Sequence, residues 1–200
     1  MSNLYSMSWK DDCKTPDYSI FPKEKVGPSY ELIPLLEGKN QFICSCCFKK
    51  IVVGKKGLVY VEVTENDPVW TDYPANSFAW PIFSEKFMTL IGENTSDEDK
   101  IDWINLQVEH FGITRSYYIL RFNKLHDIID SKNTLYVENT DLIIRPCFRA
   151  EAFEKIQIAS IPTSHNLWKI TSGLYVSERL KNTIMKHKIK GLEFSKARIS

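Results

Sequence analysis

The chain has 200 residues, 43% hydrophobic and 26% charged, the size of one large domain or two small ones. At that length it buries roughly 70% of the surface its unfolded form exposes, so no disulfide or metal staple is required. The 26 basic and 25 acidic side chains leave a formal charge of +1, which argues against a dedicated nucleic-acid binder, and no apolar run approaches the ~20 residues of a membrane-spanning helix.

The first residues, Met1 to Tyr5, lack the basic and apolar regions of a secretion signal, so the chain is expected to be cytoplasmic. Prolines at 16, 22, 28 and 34 predict irregular or edge-strand structure up to about residue 36. The β-forming stretches 41–53 and 58–63 flank Gly54-Lys55-Lys56-Gly57, a turn composition, and together predict a hairpin. Residues 66–81 hold three prolines with Trp70 and Trp80, a loop carrying bulky rings and a natural division between a β-rich part (1–66) and a C-terminal α+β part (67–200), unless the two form one continuous domain.

A short helix is expected next, capped by Ser84, with Glu85 in its first turn, Phe87, Leu90 and Ile91 on one face, and Gly92 as its stop. A second helix is expected from Ser96. Asp97, Glu98 and Asp99 would lie at its positive end, with Asp99 at capping-box spacing. Ile101, Ile104, Val108 and Phe111 would then form its apolar stripe, and Gly112 would end it. Residues 115–122, 134–138 and 142–148 read as strands.

The last unit follows every local rule. Residues 166–170 read as a strand, 171–173 as a turn and 174–176 as a strand. Ser177 caps a helix whose Leu180 and Ile184 face inward with Met185, Lys186, Lys188 and Lys190 crowd its last turn, Gly191 is its C-cap, and 192–194 returns as a strand.

Candidate chemistry is sparse. Cys44 and Cys47 have the C-x-x-C spacing of a zinc site, with Cys46 beside them, but no second ligand pair follows at short spacing. With five cysteines, an odd count, free buried thiols in a reducing compartment are the simpler reading. Of the four histidines, His126 adjoins a carboxylate, Asp127, but neighbouring residues do not make a dyad. His110 and His187 read as capping or solvated, and His165 as a loop residue. No hydrolase, metalloprotease or dinucleotide motif is present, so no catalytic, cofactor or metal residue is assigned.

Charge is nonetheless segregated. Residues 93–109 carry six acids and one lysine, whereas residues 178–198 carry seven basic residues and two glutamates. Either run can be an ordinary solvated face. The acidic one can also steer a basic partner into register, and the aromatic loop beside it has hot-spot composition.

Three segments, "FAWPIFSEKFMTLI" (78–91), "YYILRF" with "IID" (117–130) and "LWKITSGLYVSERLKNTIMKHKIKGLEF" (167–194), resemble in that order the immunity proteins of bacterial polymorphic toxin systems. Val176, Ser177, Glu178, Leu180, Gly191 and Phe194 carry the ending of that pattern. The resemblance covers about the last 120 residues and implies a stoichiometric antidote that binds a cognate toxin protein and occludes it. It transfers no contact residues. The expectation is therefore an α+β, non-enzymatic, cytoplasmic protein with mixed or mainly antiparallel sheets, a few short helices and no cofactor. Its partner surface is sought at Trp70, Asp72, Trp80, Asp97, Glu98, Asp99 and Asp102. An enzyme that reverses a toxin's modification (with His126, Asp127 and Asp130 as residues to test) and a small zinc-binding adaptor are the alternatives.

Overall fold

The computed structural model describes residues 3–10, 18–22, 42–44, 46–53, 59–63, 70–76, 79–110, 112–124, 126–161, 170 and 173–200, with main chain alone for those between 18 and 63. The fold is α+β, as expected. Its first sheet contains β1 (Leu4–Trp9), β12 (Ile158–Ser160), β13 (Leu174–Ser177) and β14 (Leu192–Lys196) in the order β12-β13-β1-β14, all antiparallel. A second sheet is ordered β5-β4-β2-β6, from β2 (Tyr18–Pro22), β4 (Cys46–Val53), β5 (Val59–Val63) and β6 (Ala75–Asn76). The expected early hairpin is its β4–β5 pair, with Val53 opposite Val59.

The third sheet is ordered β3-β8-β9-β7, from β3 (Phe42–Cys44), β7 (Ile82–Ser84), β8 (Ile101–His110) and β9 (Ile113–Phe122). A two-stranded hairpin, β10 (Leu135–Tyr136) with β11 (Ile143–Arg145), stands apart from all three. Main-chain pairing crosses residue 66 repeatedly: β1 lies between β13 and β14, β3 beside β8, and β2 beside β6.

Helix α1 (Glu85–Asn94) begins where expected, with the Ser84 hydroxyl accepting from Phe87 N at 3.2 Å. Phe87, Leu90 and Ile91 are buried. Gly92 does not stop it. The helix continues to Asn94, and its end is closed by Asn94 Nδ2 donating to the Leu90 carbonyl and Thr95 Oγ1 to that of Ile91, both at 2.8 Å.

The expected second helix is a correction. Ser96 and Asp99 do form a capping box, but it caps a single 3₁₀ turn, Asp97–Asp99, which Lys100 ends in a left-handed conformation (φ 53°). Residues 101–110 are then strand β8, paired along its length with β9. Ile104, Leu106, Val108 and His110 are buried in alternation, so the two-residue period overrides the helical spacing of Ile101, Ile104 and Val108. His110 is buried at the strand end, where a capping or solvated role was expected.

Helix α2 (Glu178–Lys186) is capped by Ser177, whose hydroxyl accepts from Leu180 N at 3.1 Å. Its close differs from expectation. His187 is the C-cap, Lys188 turns left-handed (φ 52°), and Met185 is 59% exposed rather than buried with Leu180 and Ile184. Gly191 is needed for another reason. Its φ is +89°, and a Cβ would sit 2.8 Å from both Thr71 Cβ and the Tyr73 carbonyl oxygen, so this is a close crossing of two chain segments. The strand expected at 166–170 lies almost wholly outside the described residues.

Both helices cover one core, in which Phe83, Phe87 and Ile91 meet Leu120, Phe122, Leu174, Val176, Leu180 and Ile184. A smaller core of Leu4, Ile128, Phe148, Phe153, Ile156 and Ala159 lies beneath the hairpin's root. Among the described residues no helix is long and apolar enough to cross a membrane.

Candidate partner-binding surface

The acidic turn divides into exposed and internal carboxylates. Asp97 and Glu98 are exposed. Asp99 is fully buried: one oxygen accepts from Gln157 N (2.6 Å) and Ile158 N (2.9 Å), the other from Ser96 N (2.8 Å). A carboxylate facing three main-chain amides staples the turn to strand β12. Asp102 forms a bidentate pair across β8 and β9 with Arg121, at 2.9 and 2.7 Å.

The aromatic loop is likewise split. Trp80 is buried, and its backbone is gripped by the Asn76 amide, which donates to the Trp80 carbonyl at 2.7 Å and accepts from Trp80 N at 3.1 Å. Asp72 is a clamp: it accepts from the Ser84 hydroxyl (2.7 Å) and from Lys190 N (2.8 Å), tying the start of α1 to the segment after α2. Trp70 is half-buried, stacked on Tyr117 at 6.2 Å, with the Arg115 guanidinium 4.5 Å above its ring. Burial raises the Tyr117 hydroxyl's pKa, and that hydroxyl donates to the Thr71 carbonyl at 2.9 Å. Of the seven expected contact residues, Asp97, Glu98 and Trp70 thus offer the most accessible chemistry. Asp72, Trp80, Asp99 and Asp102 are engaged within the fold.

The residues weighed for catalysis are dispersed. His126 Nε2 lies 3.2 Å from the Asp99 carbonyl oxygen, Asp127 pairs with Arg149, and His187 caps a helix. Asp130 holds a turn through Lys132 N, Asn133 N and the Asn133 amide. The side chains of Cys44, Cys46 and Cys47 lie outside the described residues; their main chain belongs to β3 and β4. Among the described residues no three His, Cys, Asp or Glu side chains group as metal ligands.

Sequence reading missed the β10–β11 hairpin as a surface. Leu135, Val137, Leu142 and Ile144 are exposed by 54, 40, 55 and 59%, whereas the cross-strand partners Tyr136 and Ile143 are half-buried. Ile144 is the extra residue of a bulge between the pairs Leu135–Arg145 and Tyr136–Ile143, which leaves its side chain outside. The available signal was a pair of short apolar runs, Leu135-Tyr136-Val137 and Leu142-Ile143-Ile144, on the two sides of the polar tip Glu138-Asn139-Thr140-Asp141.

No curated protein matches the chain. The family model described as Immunity protein 43 matches residues 57–198, which spans β5 to β14 and so takes in the acidic turn, the aromatic loop, the hairpin and the closing strand–helix–strand unit. With well over half its length matched, the chain belongs to the Immunity protein 43 family.

Proposed function

We propose that this chain is a stoichiometric antidote that binds a cognate bacterial toxin domain and covers its active site or substrate surface, without catalysis of its own. The observation that carries this reading is the family match over residues 57–198. The site chemistry is compatible with it, because the accessible groups are of the kind that recognise a protein: exposed carboxylates at Asp97 and Glu98 and a half-buried Trp70 under an arginine. Binding takes place in the cytoplasm where the chain is made, before the toxin reaches its substrate.

The test is co-expression with the product of the immediately upstream reading frame. Rescue of the host together with a stable 1:1 complex is the expected result, and continued killing refutes the proposal. Rescue without any complex transfers the activity to a catalytic mechanism. Within a complex, replacing Asp97 by Asn and Glu98 by Gln is expected to slow association several-fold at low salt. An unchanged association rate removes the acidic turn from the interface.

A further inference from the structure

On the antidote reading above, we infer that the lysine cluster at the C-terminal end of helix α2 docks the toxin, and that the toxin surface it takes is an acidic patch. Lys86, Lys186, Lys188 and Lys190 are all exposed. Lys86 arrives from helix α1, and its Nζ donates to the His187 carbonyl at 3.0 Å. Lys190 is held by main chain: its N–H donates to Asp72 Oδ2 at 2.8 Å, and its carbonyl accepts from Asp72 N and Tyr73 N, both at 3.1 Å. Thr71 lies against Gly191, and the residue before it is Trp70, with the Arg115 guanidinium over its ring. Met185, 59% exposed, stands beside Lys186. Aromatic, arginine and methionine next to lysines is the composition of a protein contact rather than of a small-anion site.

The fold itself does not account for these charges. Cations favour the last turn of a helix, but Lys86 already answers the end of α2, and Lys188 and Lys190 lie beyond the His187 cap. The ammonium groups of Lys186, Lys188 and Lys190 make no ion pair among the described residues. Lys188 moreover adopts φ 52°, a conformation in which a Cβ is penalised and glycine is preferred after a helix. A lysine kept where a local rule disfavours it points to a use for its charge.

The surrounding acids leave the cluster basic. Asp72 has one oxygen on Ser84 and the other on Lys190 N, so Glu85 is the exposed carboxylate beside it. Glu193 is near in sequence but pairs with Ser8 on the sheet face turned away from the helices, since Met7, Leu192 and Phe194 face the core beneath them. The acidic turn lies at the opposite end of α2: Asp99 accepts from Gln157 N, and the Gln157 carbonyl accepts from the cap residue Ser177. Nine helical residues, roughly 13 Å, separate the two ends. A nucleic acid, negative along its whole length, would be repelled by Asp97 and Glu98 there. A second copy related by a two-fold axis through the cluster would set lysine against lysine. An acidic protein patch meets neither obstacle.

The experiment uses the full chain and the upstream toxin domain. The cluster variant is Lys186→Gln, Lys188→Gln, Lys190→Gln; the control, Lys124→Gln, Lys132→Gln, Lys155→Gln, removes equal charge from exposed positions elsewhere. Toxin binding at low salt is expected to weaken at least ~10-fold in the cluster variant and less than ~3-fold in the control, with the gap closing at high salt. Equal losses in both variants trace the effect to net charge, and wild-type affinity in the cluster variant removes the lysines from the interface. Either result overturns the docking assignment and leaves the antidote reading standing, whereas absence of binding by the wild-type chain overturns both. Toxin binding unchanged, with loss in the cluster variant of a wild-type dimer or of affinity for a mixed-sequence RNA oligonucleotide, assigns the lysines to that occupant instead. Should the cluster variant fail to fold, acetylation footprinting of the wild-type chain decides. Lys186, Lys188 and Lys190 become protected in the toxin complex while Lys124, Lys132 and Lys155 do not, and unchanged labelling of the cluster overturns the assignment.

Discussion

Replacing Asp99 by alanine is expected to be among the most damaging single changes in the described part of the chain. The carboxylate accepts three main-chain N–H groups at 2.6, 2.8 and 2.9 Å, and it is fully buried. Hydrogen bonds to a charged group contribute roughly 1.5–3 kcal/mol each and do not add fully, so the loss is set at about 4 kcal/mol. That is a large share of the ~5–15 kcal/mol that holds a domain folded. In urea, with a slope of roughly 2.5 kcal/mol/M, the midpoint should fall by about 1.6 M with the slope unchanged. Asp99→Asn retains one acceptor oxygen but turns an amide N–H₂ toward a donor, and should fall about halfway. A loss below about 1 kcal/mol for the alanine variant would mean that the amides find water when the carboxylate is gone, which refutes the staple.

Gly191→Ala should cost about 2–4 kcal/mol, from a left-handed φ of +89° and contacts of 2.8 Å, and lower Tm by about 5–12 °C in a calorimetric scan. Gly92→Ala, in helix α1 with nothing within 4 Å of the new methyl, should instead raise stability by up to about 1 kcal/mol in the same scan. The Asp130 carboxyl is held below its ordinary value of 3.8, first by the Asn133 side chain and then by the Ser200 side chain. Because the folded state releases that proton more readily than the unfolded chain, the stabilisation is complete above the unfolded value and disappears as pH falls through the lower, folded one. A carbon-detected titration of Asp130 should therefore read below 3.8, and a reading at or above it contradicts the turn geometry. The Asp102–Arg121 pair is about one-third exposed, so a double-mutant cycle should return under about 1 kcal/mol despite its bidentate geometry.

The two helix starts were legible because capping is local: a serine followed by an acidic residue and an inward apolar face needs nothing from the rest of the chain. The same logic misled at Ser96. Its capping box is real, but ten residues of strand follow, since Ile104 to His110 alternate and a long partner strand, β9, supplies both hydrogen bonds and burial. Propensity in a short window cannot weigh a partner that lies elsewhere in sequence. The candidate surface was less legible for a related reason. Asp72, Trp80, Asp99 and Asp102 have the composition of contact residues, and only the packing buried Trp80 and Asp99 and engaged Asp72 and Asp102 in bonds within the fold.

The sequence by itself determined the α+β class, the closing strand–helix–strand unit and the resemblance to immunity proteins, because each is written in neighbouring residues. Tertiary structure decided which acids face outward, why Gly191 is glycine, and that four aliphatic side chains of the hairpin at 135–144 stay outside. The physical reason is common to all three. Exposure and close approach depend on segments far apart in the chain, as when Thr71 and Tyr73 cross Gly191 or Gln157 and Ile158 reach Asp99.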